Sequence, residues 1–559
     1  MKKIALMLAV VMALGMALTA CGGAASSAPA ASGATSTATS APAEAIGSKE
    51  IVVNLVQEPP EMNSILTTST GSMNVMRHIM DGLVALDQTD APIPAIAEKW
   101  DISEDKMTYT FHLRQDAKWT NGDPVTAKDF MFAWNQLFTA ETASDYASSW
   151  AAYIKGAEQM LADGTPAEGV GYKAVDDYTI ELNLTRPCAY ILSVLAFPNF
   201  LPVNEKAYTE AGGRDAFGTE AEFFCTIGPF KVTAWEHESD FIVEKNPDYY
   251  AADTIKLDKI DFTMINDSTT AYNSYVAGDL DLNELNGDKL AMATAAGYKT
   301  ESYDDASCWY FEFNTTIKGL DNAKIRKAIT MGVDVESFVK NVVKNNSTVS
   351  YAYTPPAING GKFTEAVGKV LDREGYAADN YKKAKELFEE GLKEAGMTAA
   401  DFKISIVVDD TDTAAKYAAF FQEQLKTNIG LDVAVEQMTY KARLQQMSEK
   451  TFNGIVMAGW GPDYNDPMTF IDLWITDGGN NHTSWSNAEY DAFVEAAQAE
   501  ADPAAREKIL IDAENLLLEE MPVGPLYNRR KDYCTSERLV DVCRTGFQDM
   551  NLRWADVVA

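Results

Sequence analysis

Hydrophobic and polar positions alternate with two different periods along this chain, and they predict two kinds of architecture. Lys403-Ile404-Ser405-Ile406-Val407-Val408 alternates with a period of two, as a strand does. Thr413 to Asn428 then places Ala414, Tyr417, Phe421 and Leu425 on one helical face. Alternation returns in Leu431-Asp432-Val433-Ala434-Val435, a polar helix-compatible stretch runs from Tyr440 to Lys450, and an apolar strand from Gly454 to Ala458 follows. This order predicts a βαβαβ unit with parallel strands. Ligands of open parallel sheets bind beyond the carboxyl ends of the strands. The segment Gly459-Trp460-Gly461-Pro462-Asp463-Tyr464-Asn465-Asp466-Pro467 falls at such an end, with an acid and aromatics in a turn.

Further helices surround this unit. Asp466-Pro467 reads as an N-cap with proline at the first helical position, turning Phe470, Leu473 and Trp474 inward. Ser486-Asn487-Ala488-Glu489 has the form of a capping box. Asn380 to Ala395 is amphipathic, with Tyr381, Ala384, Leu387, Phe388 and Leu392 on its buried side and Gly396 ending it. The earlier half reads as α+β: Tyr109–Leu113 and Thr179–Leu184 alternate as strands, and Thr126 can cap a helix from Ala127 through Leu137. No internal repeat is evident.

The ends and the composition change the picture in three ways. Lys2 and Lys3 precede an apolar run from Ile4 to Leu18, too short for a stable span, and Leu18-Thr19-Ala20-Cys21 fits a lipoprotein cleavage box. Residues 1–20 are therefore expected to be a signal peptide and Cys21 the lipidated first residue. Residues 21–48, rich in Ala, Ser, Thr, Gly and Pro, cannot bury enough apolar area to order themselves and are expected to form a flexible tether. The formal charge of −35 opposes nucleic acid and anionic lipid as partners.

Five cysteines remain, Cys188, Cys225, Cys308, Cys534 and Cys543, an odd number in a compartment that permits disulfides. Cys188 with Cys225 and Cys534 with Cys543 are plausible pairs. Their spacings match no zinc pattern, so neither metal nor cofactor is expected. Enzyme motifs are missing as well: there is no Gly-x-Ser-x-Gly, His-Glu-x-x-His or Walker loop, and His78, His112, His237 and His482 are scattered. Gly169-Val170-Gly171 leads into a strand instead of a helix. Asp279-Leu280-Asp281 starts like a calcium loop but lacks the required Gly and final Glu.

The turn after Ala458 resembles the Trp-x-x-Asp-Tyr-x-x-Pro segment of bacterial oligopeptide-binding proteins of ABC peptide importers. Phe111-His112-Leu113-Arg114-Gln115-Asp116-Ala117-Lys118-Trp119-Thr120-Asn121-Gly122-Asp123-Pro124 continues the likeness, resembling the long signature of family 5 solute-binding proteins. Asp81-Gly82-Leu83-Val84, Gly228-Pro229-Phe230, Asn246-Pro247-Asp248-Tyr249-Tyr250, Ile325-Arg326-Lys327-Ala328-Ile329 and Tyr353-Thr354-Pro355-Pro356 follow in that family's order. The resemblance implies an α/β, two-lobed periplasmic-binding-protein-like fold with a hinge and an additional inserted domain. By order along the chain, lobe I takes 49–80, 204–306 and 522–559, the inserted domain 81–203, and lobe II 307–521.

It also implies a function: an extracytoplasmic, lipid-anchored, monomeric receptor that captures oligopeptides by domain closure and hands them to a permease. Relatives in the family take dipeptides, metal chelates, haem or oligosaccharides instead, and a peptide-sensing role is a further alternative. Asp463 matches the family's anchor for the peptide ammonium group, for which a charge-assisted hydrogen bond in a dry cleft is the physical reason. Trp460, Tyr146 and Tyr440 match cleft aromatics, and Thr68, Ser69 and Thr70 match a stretch that lends backbone to the peptide by β-augmentation. Gly459, Gly461 and Tyr464 complete the expected site. In two respects this chain departs from its best-known relatives. Met447 and Met457 stand where those relatives carry arginines that balance peptide carboxylates, and Ser307 and Gly461 replace a disulfide.

Overall fold

The computed structural model describes residues 48–558 apart from 165–168, 369–370 and 372–378. Cys21, the expected signal peptide and nearly all of the tether lie outside the described residues.

The parallel unit forms as its periodicity predicts. Ser405–Asp409 pairs in parallel with Ala434–Met438 on one side and with Gly454–Trp460 on the other. Helices Asp412–Ile429 and Tyr440–Ser448 make the crossovers. Ile406, Val407 and Val408 are all buried, as a strand covered on both faces requires. Phe421, Leu425 and Ile429 bury the inner face of the first helix, whereas Ala414 and Tyr417 stay partly open near its start. The second strand begins three residues later than the alternation indicates. Leu431 donates its N–H to the Leu425 carbonyl at 3.2 Å, which closes the helix and keeps it out of the ladder, although Leu431 and Val433 are both buried.

Capping details also differ. Asn487, not Ser486, caps the helix Ala488–Ala499, its Oδ1 accepting from the N–H groups of Glu489 and Tyr490 at 3.0 and 3.2 Å. After Pro467 the chain makes a single α-turn, Met468–Ile471, and tightens to a 3₁₀ turn at Asp472–Trp474. Phe470, Leu473 and Trp474 are nevertheless buried as expected. Asp466 accepts from the Met468 N–H at 3.0 Å, while its carboxylate is held by Arg506 through two 2.8 Å bonds.

One sheet links the two lobes. From the parallel unit it continues through the long antiparallel pair Thr300–Phe313 and Val523–Thr535 to Leu282–Glu284, Glu50–Asn54, Lys259–Thr263, Asp240–Lys245 and Phe230–Glu236. The register of the long pair shifts between Asp304 and Cys308, and Ala306 there has φ 56°. A ladder interrupted in this way bends locally. Val523 to Asn528 pairs on one side of that interruption and Arg530 to Cys534 on the other.

The earlier half supplies a separate four-stranded antiparallel sheet of Ala97–Ile102, Thr108–Leu113, Thr179–Asn183 and Tyr172–Asp176. Helix Ala127–Leu137 buries Phe130, Ala133, Trp134 and Leu137, and its first turn is fixed by the Thr126 N–H donating to Asp129 Oδ2 at 2.7 Å. The core beneath it runs on into that of the parallel unit. Neither of the plausible pairs is joined: Cys188, Cys225, Cys534 and Cys543 all carry thiols. Cys534 Sγ lies 3.6 Å from the Asn283 carbonyl, and the Cys543 backbone pairs antiparallel with that of Asn551.

Candidate ligand-binding site

Two adjoining cavities, of about 390 Å³ and about 130 Å³, open where the parallel strands end. Asp409 and Gly459, at the carboxyl ends of their strands, line the larger one together with Thr411, Asp412 and Thr413 at the start of the crossover helix. Thr70, Asn74, Tyr440, Arg443, Gly459 and Gly461 border both.

Asp463 lies on the wall of the smaller cavity. Its N–H donates to Thr469 Oγ1 at 3.0 Å, which sets the turn, and the Tyr146 hydroxyl donates to its Oδ1 at 3.1 Å. Among the described residues it forms no salt bridge. Burial pushes its carboxyl well above the usual range, and the Tyr146 hydrogen bond and Arg77 offset only part of that. An acid so placed is a strong acceptor for an incoming cation, which would regain in charge-assisted bonds what desolvation removed.

The aromatics are assembled from three segments. Tyr146 stacks on Trp150 with centroids 5.2 Å apart and lies 5.9 Å from the Trp460 ring. Trp460 lines the smaller cavity, and Tyr440 lines both, with the Arg443 guanidinium 5.2 Å from its ring centroid. Gly459 is dictated by a close approach: a Cβ there would come within 2.6 Å of the Trp309 ring. Gly461 has open space in its place and borders the cavities directly.

Two expected site residues do other work. Tyr464 borders neither cavity: it is 1% exposed, stacks on Tyr190 at 4.7 Å and meets the Tyr153 hydroxyl at 2.9 Å, fastening the earlier half to the parallel unit. Ser69 is fully buried as the N-cap of Thr70–Ile79, its Oγ accepting from the Ser72 N–H at 3.2 Å. Thr68 and Thr70 on either side do border the smaller cavity.

Charged groups from unexpected positions complete the walls. Met447 and Met457 are buried and line the cleft, but so does Arg443, one turn before Met447, which donates to its sulfur at 3.2 Å. Arg443 is held by Asp409 at 2.6 Å, Arg529 by Asp305 at 2.6 Å, and Lys531 by Asp549 at 2.7 Å. Arg529 also lies 4.8 Å over the Trp309 ring, and Ser307 bonds Asp305 at 2.7 Å. These cations come from a helix and a distant strand and belong to no local motif, so spacing could not disclose them. The i, i+4 relation of Arg443 to Met447 was the one available signal.

Comparison with known proteins places this geometry. The model of bacterial extracellular solute-binding proteins, family 5 (middle), matches residues 91–482. The chain belongs to this family. It is thus a binding protein and not an enzyme, with the α/β periplasmic-binding-protein fold. Oligopeptide-binding protein OppA of Bacillus subtilis is 35% identical over 517 residues, 91% of this chain and 92% of the relative. Dipeptide-binding protein DppE of the same organism is 33% identical over 518 residues, covering 92% and 93%. The structure of Listeria monocytogenes OppA bound to peptide superposes with a TM-score of 0.85 at 32% identity, covering 92% of this chain and all of that one. No described helix is long and apolar enough to cross a membrane.

Proposed function

We propose that this protein is the peptide receptor of an ABC importer, capturing oligopeptides outside the cytoplasm and delivering them to a membrane permease. Asp463 carries the reading: a desolvated acid that forms no salt bridge among the described residues, its burial offset only in part by Arg77, lines a cavity with Tyr146, Trp460 and Tyr440, and a peptide's α-ammonium supplies the missing charge. Relatives named for oligopeptide and dipeptide binding support the ligand class. The larger cavity continues past Arg443 and favours a ligand longer than two residues. Every cation on its wall named above already faces an acid, so the carboxylate end of the peptide is held loosely.

Capture proceeds by closure of the lobes about the long strands, because a ligand touching both lobes stabilises the closed state. Polar pairs across the mouth fit that state: Ser268 Oγ donates to Asp412 at 2.5 Å, Asn286 to Thr413 at 3.2 Å and Lys416 to Asp288 at 2.6 Å. Thr68 and Thr70 lend backbone to the peptide. The remaining parts of this reading are the division into lobe I, inserted domain and lobe II, a monomeric state, and anchoring through a lipid on Cys21 after removal of residues 1–20.

Calorimetry with a tetrapeptide and its N-acetylated copy tests the reading. The acetylated peptide should bind about a hundredfold more weakly, as expected when one partner of a desolvated charge pair is removed. Equal affinities would overturn the role of Asp463. A second expectation concerns Gly459→Ala: the new methyl must push aside the Trp309 indole, and Arg529 above it, so peptide affinity should fall about tenfold while circular dichroism stays native.

A further inference from the structure

The smaller cavity carries polar atoms that an ammonium anchor does not use. Asn480 lines it and is 4% exposed, yet neither its Oδ1 nor its Nδ2 has a hydrogen-bond partner among the described residues. Trp474 lines it and is 1% exposed, and its Nε1 is equally unpartnered, as is that of Trp460. The adjacent Asn481 shows what a structural asparagine in this loop looks like. Its Nδ2 donates to the carbonyls of Trp474, Ile475 and Trp485 at 3.3, 3.0 and 2.9 Å, and its Oδ1 accepts from Thr483 at 2.6 Å.

Buried donors and acceptors are almost always matched in folded proteins, and an unmatched set on a cavity wall is completed by what enters the cavity. The set here has a definite chemistry. An indole N–H can only donate, whereas an asparagine amide both donates and accepts. Its complement is a group with an accepting oxygen and a donating N–H: an amide, which a peptide ligand carries in its main chain and which an Asn or Gln side chain can bring into a side pocket. Trp474 is held for the task by edge contacts with Tyr310 and Tyr353, each 5.8 Å away. Phe197, Leu444 and Met447 add apolar side chains to the wall, while Asn74, Arg77, Arg443, His482 and Asp549 keep other parts of it polar.

We propose that Trp474 and Asn480 form a side-chain pocket that selects Asn or Gln over an apolar isostere near the ligand's amino terminus. The proposal rests on the peptide reading above, since Asp463 and Asn480 share this cavity and the selected residue is therefore the first or second of the ligand. A site built to hydrogen-bond a ligand group discriminates strongly against an analogue lacking it, because its own polar atoms are then left unpaired.

Tetra-alanine peptides carrying Asn or Leu at the first or second position test it, with affinities measured by calorimetry on the purified protein. Leu and Asn share the same branched arrangement of side-chain heavy atoms, so the comparison exchanges polar atoms for apolar ones in a similar shape. The Asn peptide should bind about tenfold more tightly at one of the two positions. Trp474→Phe, which keeps an aromatic ring but removes the donor, and Asn480→Leu should each bring that ratio towards one. The ratio between free and N-acetylated peptide should persist in both variants. Equal binding of Asn and Leu peptides at both positions overturns the pocket and leaves the anchor standing. Failure of all these peptides to bind overturns both.

Discussion

Replacing Asp463 with Asn should weaken peptide binding by a hundredfold or more and, at the same time, raise the stability of the empty protein. The two effects share one cause. In the empty cleft the carboxyl is desolvated, and the Tyr146 hydroxyl, Arg77 and Thr469 offset this only in part, so burial raises its pKa well above the unfolded value. The folded state then holds this proton more tightly than the unfolded state does. Stability of the empty protein accordingly falls as pH rises from the unfolded pKa through the raised folded one, and the full cost is felt above it.

A bound ammonium reverses the balance by favouring the charged form. Binding should therefore release a proton at pH values between the lowered bound pKa and the raised free one, and affinity should drop on acidification below the free value. In Asp463→Asn that part of the pH dependence disappears. Asp472 titrates nearby, pushed up to about 8 by burial and by neighbouring Asp466, so the difference between native and variant protein isolates Asp463. Calorimetry in buffers of differing ionisation enthalpy counts the protons. Unchanged affinity in the variant would remove Asp463 from the site.

What the sequence made legible, and what it did not, follows from how far each feature depends on distant residues. The βαβαβ unit and the position of Asp463 beyond its sheet depend on local periodicity, and both could be read. Tyr464 looked like a site residue because it adjoins Asp463. Consecutive side chains in a turn diverge, however, and its partners Tyr153 and Tyr190 come from another part of the chain. Arg529 and Lys531 reach the larger cavity only because Val523–Thr535 returns to pair along residues 300–312, which no local pattern announces. The fold class was legible through family segments whose physical purpose was not.

One convergence of those segments carries the second large prediction. Asp81 is 2% exposed and accepts from the Tyr249 and Tyr250 hydroxyls at 2.8 and 2.9 Å, while its other oxygen is bonded by Arg553. The Arg114 guanidinium lies 3.5 Å over the Tyr250 ring. Two segments that the family likeness singles out, at 81–84 and 246–250, thus meet at one carboxylate with the carboxyl-terminal stretch, and a third, at 111–124, is joined to them through Arg114 over Tyr250. Removal of the carboxylate leaves the Arg553 charge buried without its partner, a change that costs about 3–5 kcal/mol in comparable settings.

Asp81→Asn should accordingly lower the urea midpoint of unfolding by an amount corresponding to about 3 kcal/mol. Peptide affinity of the folded variant should stay within about threefold of native, because Asp81 borders neither ligand cavity. Arg553→Met should be similarly costly, since it strands the carboxylate. The double variant should recover part of the loss, because neither charge is then left alone and the methionine fills the space. Additive losses would mean that the two side chains act separately. The carboxylate would then be a hydrogen-bond acceptor for the tyrosines and not the charge that fastens the carboxyl-terminal stretch to the segment at 81–84.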